Sequence, residues 1–272
     1  MSDLPKRLAS ALVLGTIFAV TAWFGGFVFL AILCLASCVI WFEWCGIRMP
    51  HIDDRLLLAG TVSIVLTGLV MWLTSTWVVW LLVGSIFLVF IFYTLQLGQS
   101  SAIKGYAYAA TLLIAVGHLR GAGEDLSGFV AICFLCAVVF ATDIGAYFIG
   151  RWLGGPKLLP AVSPNKTISG ASGGLLAAII AATSTYVGFG LEPVWAAVAL
   201  ALFLSVLAQL GDLYESSMKR NAGVKDSGQV IPGHGGVMDR VDGLLFASFG
   251  LWFPSVVAGN WFVPADTFFK IG

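Results

Sequence analysis

Apolar stretches, each close to the length of a membrane span, follow one another along almost the whole of this 272-residue chain. A helix needs about 20 apolar residues to cross a bilayer core of about 30 Å. The pattern predicts about nine such helices: 7–24, 26–46, 55–73, 76–95, 105–119, 127–150, 170–190, 192–215 and 241–261. The first two are split at Gly25-Gly26. The fifth is the shortest, and without it every later segment would change sides. The ten-residue alternation of a membrane β-barrel is absent.

Composition agrees with the pattern. The chain is 59% hydrophobic and 10% charged, with a mean hydropathy of +0.97, which excludes an ordinary soluble domain. The expected fold class is an all-α polytopic integral membrane protein with a cytoplasmic N-terminus. The formal net charge is zero, so bulk charge makes no case for nucleic-acid binding. Lys6 and Arg7 precede the first apolar stretch as in a signal peptide. No small-residue cleavage site follows, so this stretch is expected to stay as a helix. Cys34, Cys38, Cys45, Cys133 and Cys136 all lie in apolar runs. The Cys133–Cys136 spacing has no nearby histidine or second such pair, and packing explains it.

The basic residues give the helices sides. With nine spans, Lys6, Arg7, Arg48, Arg55, Lys104, Arg151, Lys157, Lys166, Lys219, Arg220, Lys225 and Arg240 share one face, and Arg120 and Lys270 the other. That bias marks the first face as cytoplasmic.

Polar chemistry concentrates in the second half. Residues 1–125 read as a transmembrane scaffold or oligomer surface, with Glu43 an isolated acid near a cytoplasmic helix end, and residues 126–272 as the catalytic region. Asp143 lies within the sixth stretch, eight residues from Arg151. That is about 12 Å along a helix, a costly depth for a carboxylate unless it faces a wet cavity, a cation or a base. The segment Ser163-Pro164-Asn165-Lys166-Thr167, read as a loop, leads into a helix start rich in Ser and Gly, where backbone N–H groups and the helix dipole favour an anion.

The densest polar segment runs from Asp212 to Asp242, where nine of the chain's 28 acidic and basic residues occupy 31 positions. Asp212 and Glu215 are three apart at the end of the eighth helix, and Asp239 and Asp242 repeat the spacing where the ninth begins. Hard oxygen donors from one or two carboxylates, completed by phosphate and water, are what Mg²⁺ prefers. Lys219, Arg220, Lys225 and Arg240 suit phosphate oxygens. His234-Gly235-Gly236 offers backbone N–H groups and a titratable ring. The loop between the helices is expected at 216–240, on the cytoplasmic side.

These residues carry a family resemblance. Ser216-Ser217-Met218-Lys219-Arg220, Lys225-Asp226, and Pro232-Gly233-His234-Gly235-Gly236-Val237-Met238-Asp239-Arg240-Val241-Asp242 resemble the signature of phosphatidate cytidylyltransferases without a departure. The Asp143–Tyr147 and Ser163–Thr167 segments resemble accompanying features. The resemblance covers roughly residues 140–245. It implies transfer of CMP from CTP to phosphatidic acid, giving CDP-diacylglycerol and pyrophosphate. It also implies Mg²⁺, in some members with a monovalent cation such as K⁺, and a homodimer; with the basic bias, the expected place is the cell (inner) membrane with the active site facing the cytoplasm. Asp212 and Asp239 fall on the metal-binding acids, and Lys219, Arg220, Lys225 and His234 on the basic and His-Gly-Gly positions, His234 as an orienting donor. Arg240 joins the phosphate contacts. Asp143, Asn165, Lys166, Ser216, Gly235 and Gly236 are the candidate substrate contacts. Two competing expectations are another CTP-dependent membrane lipid enzyme and a cation-coupled transporter.

Overall fold

The computed structural model describes residues 3–74, 77–121, 126–231, 233 and 235–271. Each predicted stretch contains helix, with ends that differ by a few residues. α1 is Asp3–Phe24, α2 Gly26–Arg48, α3 Asp54–Leu73 and α4 Val78–Gln96. The fifth stretch runs from Ser101 to Arg120 as α5 (Ser101–Thr111), a π turn (Leu112–Val116) and α6 (Gly117–Arg120). α7 is Leu126–Leu153, α8 Ile168–Gly188, α9 Val194–Asn221, α10 Met238–Val257 and α11 Asp266–Phe269. Among the described residues, seven of these segments are long and apolar enough to cross a membrane, and α1 adds a shorter apolar stretch, Leu12–Phe24. The chain is an all-α polytopic membrane protein.

Two expectations about loops are corrected. The segment before α8 is not a simple loop: β1 (Lys157–Leu159) and β2 (Ser163–Thr167) form an antiparallel hairpin, with Lys157 opposite Thr167 and Leu159 opposite Ser163. In a two-stranded hairpin both strands are edges, where Pro164 costs no ladder bond it cannot avoid. The loop after α9 also begins later than expected. The helix continues to Asn221 and carries Ser216, Lys219 and Arg220 on its last turns. Charge did not stop it, because Glu215 and Lys219 pair across one turn at 3.1 Å and cations near a helix C-terminus complement its dipole.

Two compact units divide the chain. One comprises Met1–Glu124 with Val224–Arg240, the other Asp125–Gly223 with Val241–Gly272. In the first, Phe29, Leu33, Ile40 and Trp41 of α2 are buried with Leu56 and Ile64 of α3 and Phe90 of α4. The Trp41 indole N–H donates to the Leu57 carbonyl at 3.0 Å, giving a buried ring its partner. Arg120 is 2% exposed. It donates to the carbonyls of Ala22 and, at 2.8 Å, Trp23, capping the α1 C-terminus where a cation is favoured. One of the two cations that the sequence reading sets apart from the others thus has a structural task.

The second unit is built on the contact of α7 with α8. Small residues let the two backbones approach, as helices do in membranes. A Cβ at Gly170 would lie 2.8 Å from the Ala146 carbonyl, and one at Gly174 2.8 Å from the Thr142 carbonyl. At the far end of α8 the Tyr186 hydroxyl donates to the Phe268 carbonyl at 2.6 Å, and Phe269 packs on Phe134 and Tyr186. Gly174→Leu is therefore expected to force α7 and α8 apart, costing about 1–3 kcal/mol as overpacking. Thermal unfolding of the detergent-solubilised protein measures this, and a midpoint equal to wild type would refute the close-contact account.

Candidate active site

The mouth of the second unit holds a cavity of about 660 Å³, within the range of sites for small organic ligands. α7 contributes Asp143, Tyr147 and Arg151, the hairpin contributes Lys157, Asn165 and Lys166, the start of α8 contributes Gly170 and Ala171, and α9 contributes Gln209 and Asp212. Asp143, Tyr147 and Gly150 recur at intervals of three and four, so one helix face lines the wall.

Asp212 is the best-connected acid here. Lys166 donates to its Oδ2 and pairs with it as an ion. Ser216, one turn on, donates to its Oδ1 at 3.3 Å. The Lys166 and Asp212 side chains keep 28% and 31% exposure, so the pair is formed yet reachable. Thr167 caps α8 by accepting from Gly170 N–H at 3.1 Å, which fixes the hairpin strand carrying Lys166 against the helix. Arg151 donates to the Tyr147 hydroxyl at 2.9 Å. Deeper, Gln209 donates to the Ala171 carbonyl at 3.4 Å, and Thr142 donates to Ser205 at 2.8 Å. A polar track thus runs from the cavity into the bundle.

Glu215 does not share the Asp212 environment. Its side chain is fully buried and is paired with Lys219, while Asp212 faces the cavity. Sixty degrees separate residues three apart on a helix, enough to place one inside and one outside. Asp242 interacts electrostatically with Asp212, Asp143 and Glu215, and its Oδ1 accepts from Gly243 N–H at 2.8 Å.

The signature residues 224–240 belong to the first unit. Asp239 accepts three hydrogen bonds at Oδ2, from Ser227 N–H at 2.8 Å, Ser227 hydroxyl at 2.9 Å and Gly236 N–H at 2.9 Å. Gly235 has φ +84°, and a Cβ there would lie 2.7 Å from Asp239 Oδ2, so only glycine fits. Lys225 and Arg240 are exposed, and Arg220 is exposed at the end of α9. His234 lies outside the described residues. The structure therefore gathers Asp143, Asn165, Lys166, Asp212 and Ser216 in the second unit. It gathers Gly235, Gly236 and Asp239 with Ser227 in the first.

Sequence reasoning missed Arg151, Lys157 and Gln209 as cavity groups and gave Glu43 too little weight. Glu43 is 7% exposed and accepts from Val237 N–H and Met238 N–H, both at 2.8 Å. A buried acid in an otherwise apolar helix was the available signal.

Among the described residues, no three His, Cys, Asp or Glu side chains gather as a metal cage. Mg²⁺ asks less of a protein, one or two carboxylates with phosphate and water completing its shell. Asp212, with a partly exposed carboxylate lining the same cavity as Asp143, fits that donor chemistry.

Carboxylates, lysine and arginine around a nucleotide-sized cavity at the helix ends of a membrane bundle suit phosphate-bearing substrates. The chain matches the cytidylyltransferase family over residues 5–256. It is 38% identical to a phosphatidate cytidylyltransferase of Brucella suis biovar 1 over 99% of this chain and 100% of that one. A Brucella abortus phosphatidate cytidylyltransferase is 39% identical over 91% of this chain and 92% of its own. One from Bacillus subtilis is 47% identical over 47% of this chain and 48% of its own. The chain belongs to the cytidylyltransferase family and is a membrane nucleotidyltransferase.

Proposed function

We propose that the protein transfers CMP from CTP to phosphatidic acid, releasing pyrophosphate and forming CDP-diacylglycerol. The observation that carries the reading is the Lys166–Asp212 pair in an open polar cavity, within a chain of this family. The relatives are phosphatidate cytidylyltransferases matched over nearly the full length of the chain, and their name supplies the acceptor lipid.

The acceptor brings its own nucleophile. A phosphate monoester is largely ionised near neutral pH, with a second pKa of about 6, so no side chain has to remove a proton. A phosphate oxygen of the lipid attacks the α-phosphorus of CTP, the new P–O bond forms, and the bond to the bridging oxygen of pyrophosphate breaks. The protein's work is positioning and neutralisation. Lys166 bears on phosphate charge at the cavity wall while Asp212 orients it. Arg151 and Lys157 extend positive potential to the mouth, and Lys219, Arg220, Lys225 and Arg240 are the proposed nucleotide-phosphate contacts. Asp143 and Asn165 complete the polar wall. Asp212 and Asp239 are the proposed carboxylate donors for Mg²⁺, with K⁺ an optional companion. The chemistry a bound Mg²⁺ supplies is neutralisation of the nucleotide phosphates and of the leaving pyrophosphate.

The proposal includes nine membrane crossings, a cytoplasmic active site in the cell (inner) membrane, and a homodimer. The basic bias of one face supports the orientation, since CTP is a cytoplasmic solute. Purified protein incubated in detergent with labelled CTP, phosphatidic acid and Mg²⁺ is expected to yield CDP-diacylglycerol and pyrophosphate in equal amounts. Folded wild-type protein that makes neither would refute the reading.

A further inference from the structure

Glu43 lies on α2, in the half of the chain that reads as scaffold, yet its hydrogen bonds end on the signature segment. Its Oε1 accepts from Val237 N–H and its Oε2 from Met238 N–H, both at 2.8 Å. The Ser227 hydroxyl lies 3.1 Å from Glu43 Oε2 and 2.9 Å from Asp239 Oδ2. One hydroxyl hydrogen is thus shared between two carboxylates, and Ser227 N–H also donates to Asp239 at 2.8 Å. The backbone is shaped to this arrangement. A Cβ at Gly228 would come within 2.9 Å of Glu43 Oε1, and one at Gly236 would collide with both Ser227 Oγ and the Glu43 carboxylate.

Burying an acid is costly unless donors satisfy it. Here the N–H groups of Val237, just before α10, and of Met238, its first residue, do so together with a hydroxyl, as charge-assisted bonds. Such bonds bring order as well as compensation. They hold the turn that carries Asp239, and Ser227 links the two acids directly.

We propose that Glu43 is a positioning residue for nucleotidyl transfer: it clamps Ser227 and the first turn of α10 so that Asp239 is held in its working orientation. This rests on the reading of Asp239 as a residue of the reaction. The N-terminal unit is then part of the catalytic apparatus.

The test uses full-length protein in detergent with Glu43→Gln and Ser227→Ala. The glutamine keeps the volume but turns an NH₂ toward N–H donors, so both backbone donors cannot be satisfied. Glu43→Gln is expected to lower kcat by about 10–100-fold, the usual effect of disturbing a group that orients a ligand residue. KM for CTP and for phosphatidic acid should change far less. Deuterium exchange, measured without substrates, should accelerate in residues 224–240 and stay unchanged in 126–221. Ser227→Ala should move both readouts the same way by a smaller factor.

Wild-type kcat in Glu43→Gln, or exchange that rises equally in both regions, would overturn the proposal. If Glu43→Gln does not fold, Ser227→Ala decides: wild-type kcat and exchange would overturn the proposal, and a local loss of protection with lower kcat would uphold it. The exchange arm needs no turnover. A failure of the wild-type CTP assay would therefore count against the reaction, and an unaltered exchange pattern against the clamp.

Discussion

Asp212→Asn is expected to lower nucleotidyl transfer by at least about 100-fold while the bundle stays assembled. Residues that merely orient a metal ligand already cost about 10–100-fold when removed, so a proposed ligand should cost no less. Asparagine preserves the volume and can still accept from Ser216, which lies 3.3 Å away. It removes the charge that holds Lys166, whose ammonium now has its ion partner on this side chain. Since the pair is about a third exposed, its contribution to folding is small, of order 0–1 kcal/mol. Activity and stability should therefore separate: kcat collapses while the thermal midpoint stays near wild type. Near-normal Mg²⁺-dependent turnover in this variant would remove Asp212 from the metal assignment.

The second large effect is expected at Asp239, with a different signature. Asp239→Asn should also cost at least about 100-fold in kcat by the same argument. Its Oδ2 accepts three hydrogen bonds from Ser227 and Gly236. Bonds to a charged acceptor are worth about 1.5–3 kcal/mol against about 0.5–1.5 for neutral partners. The neutral amide should loosen the segment as well as remove a charge. Deuterium exchange at residues 227–236 should therefore rise in Asp239→Asn and not in Asp212→Asn. Identical exchange in both variants would mean that Asp239 does not organise this segment. Retained activity would mean that it takes no part in the reaction.

Much of the site was legible because charge in an apolar chain has few bland explanations. Asp143, Lys166 and Asp212 stood out by residue type and position, and all three line one cavity. Arg151, Lys157 and Gln209 did not stand out. A basic residue at a helix end is first read as a topology marker, and a glutamine in a helix carries no charge to flag it. Asp212 and Glu215 were paired by spacing alone, which specifies a face only to within 60°. The packing of α9 then placed Glu215 inside against Lys219 and left Asp212 facing the cavity. The helix end at Asn221 escaped notice for a related reason. Polar composition reads as a loop, whereas ion pairs one turn apart sustain a helix in water.

By itself the sequence determined the class of the molecule, because bilayer thickness turns hydropathy directly into helix number and length. Through its resemblance to the phosphatidate cytidylyltransferase signature it also implied the chemistry, because a long run of charged, hydroxyl and glycine positions is specific to few families. Which groups meet was decided only in three dimensions. Glu43 reaches Val237 and Met238 across 194 and 195 residues, and Lys166 reaches Asp212 across 46. Hydrogen bonds of that range leave no period in the sequence. They follow from tertiary packing, in the second unit through small residues such as Gly170 and Gly174 that let α8 approach α7, and only the packed backbone fixes which side chains then face each other.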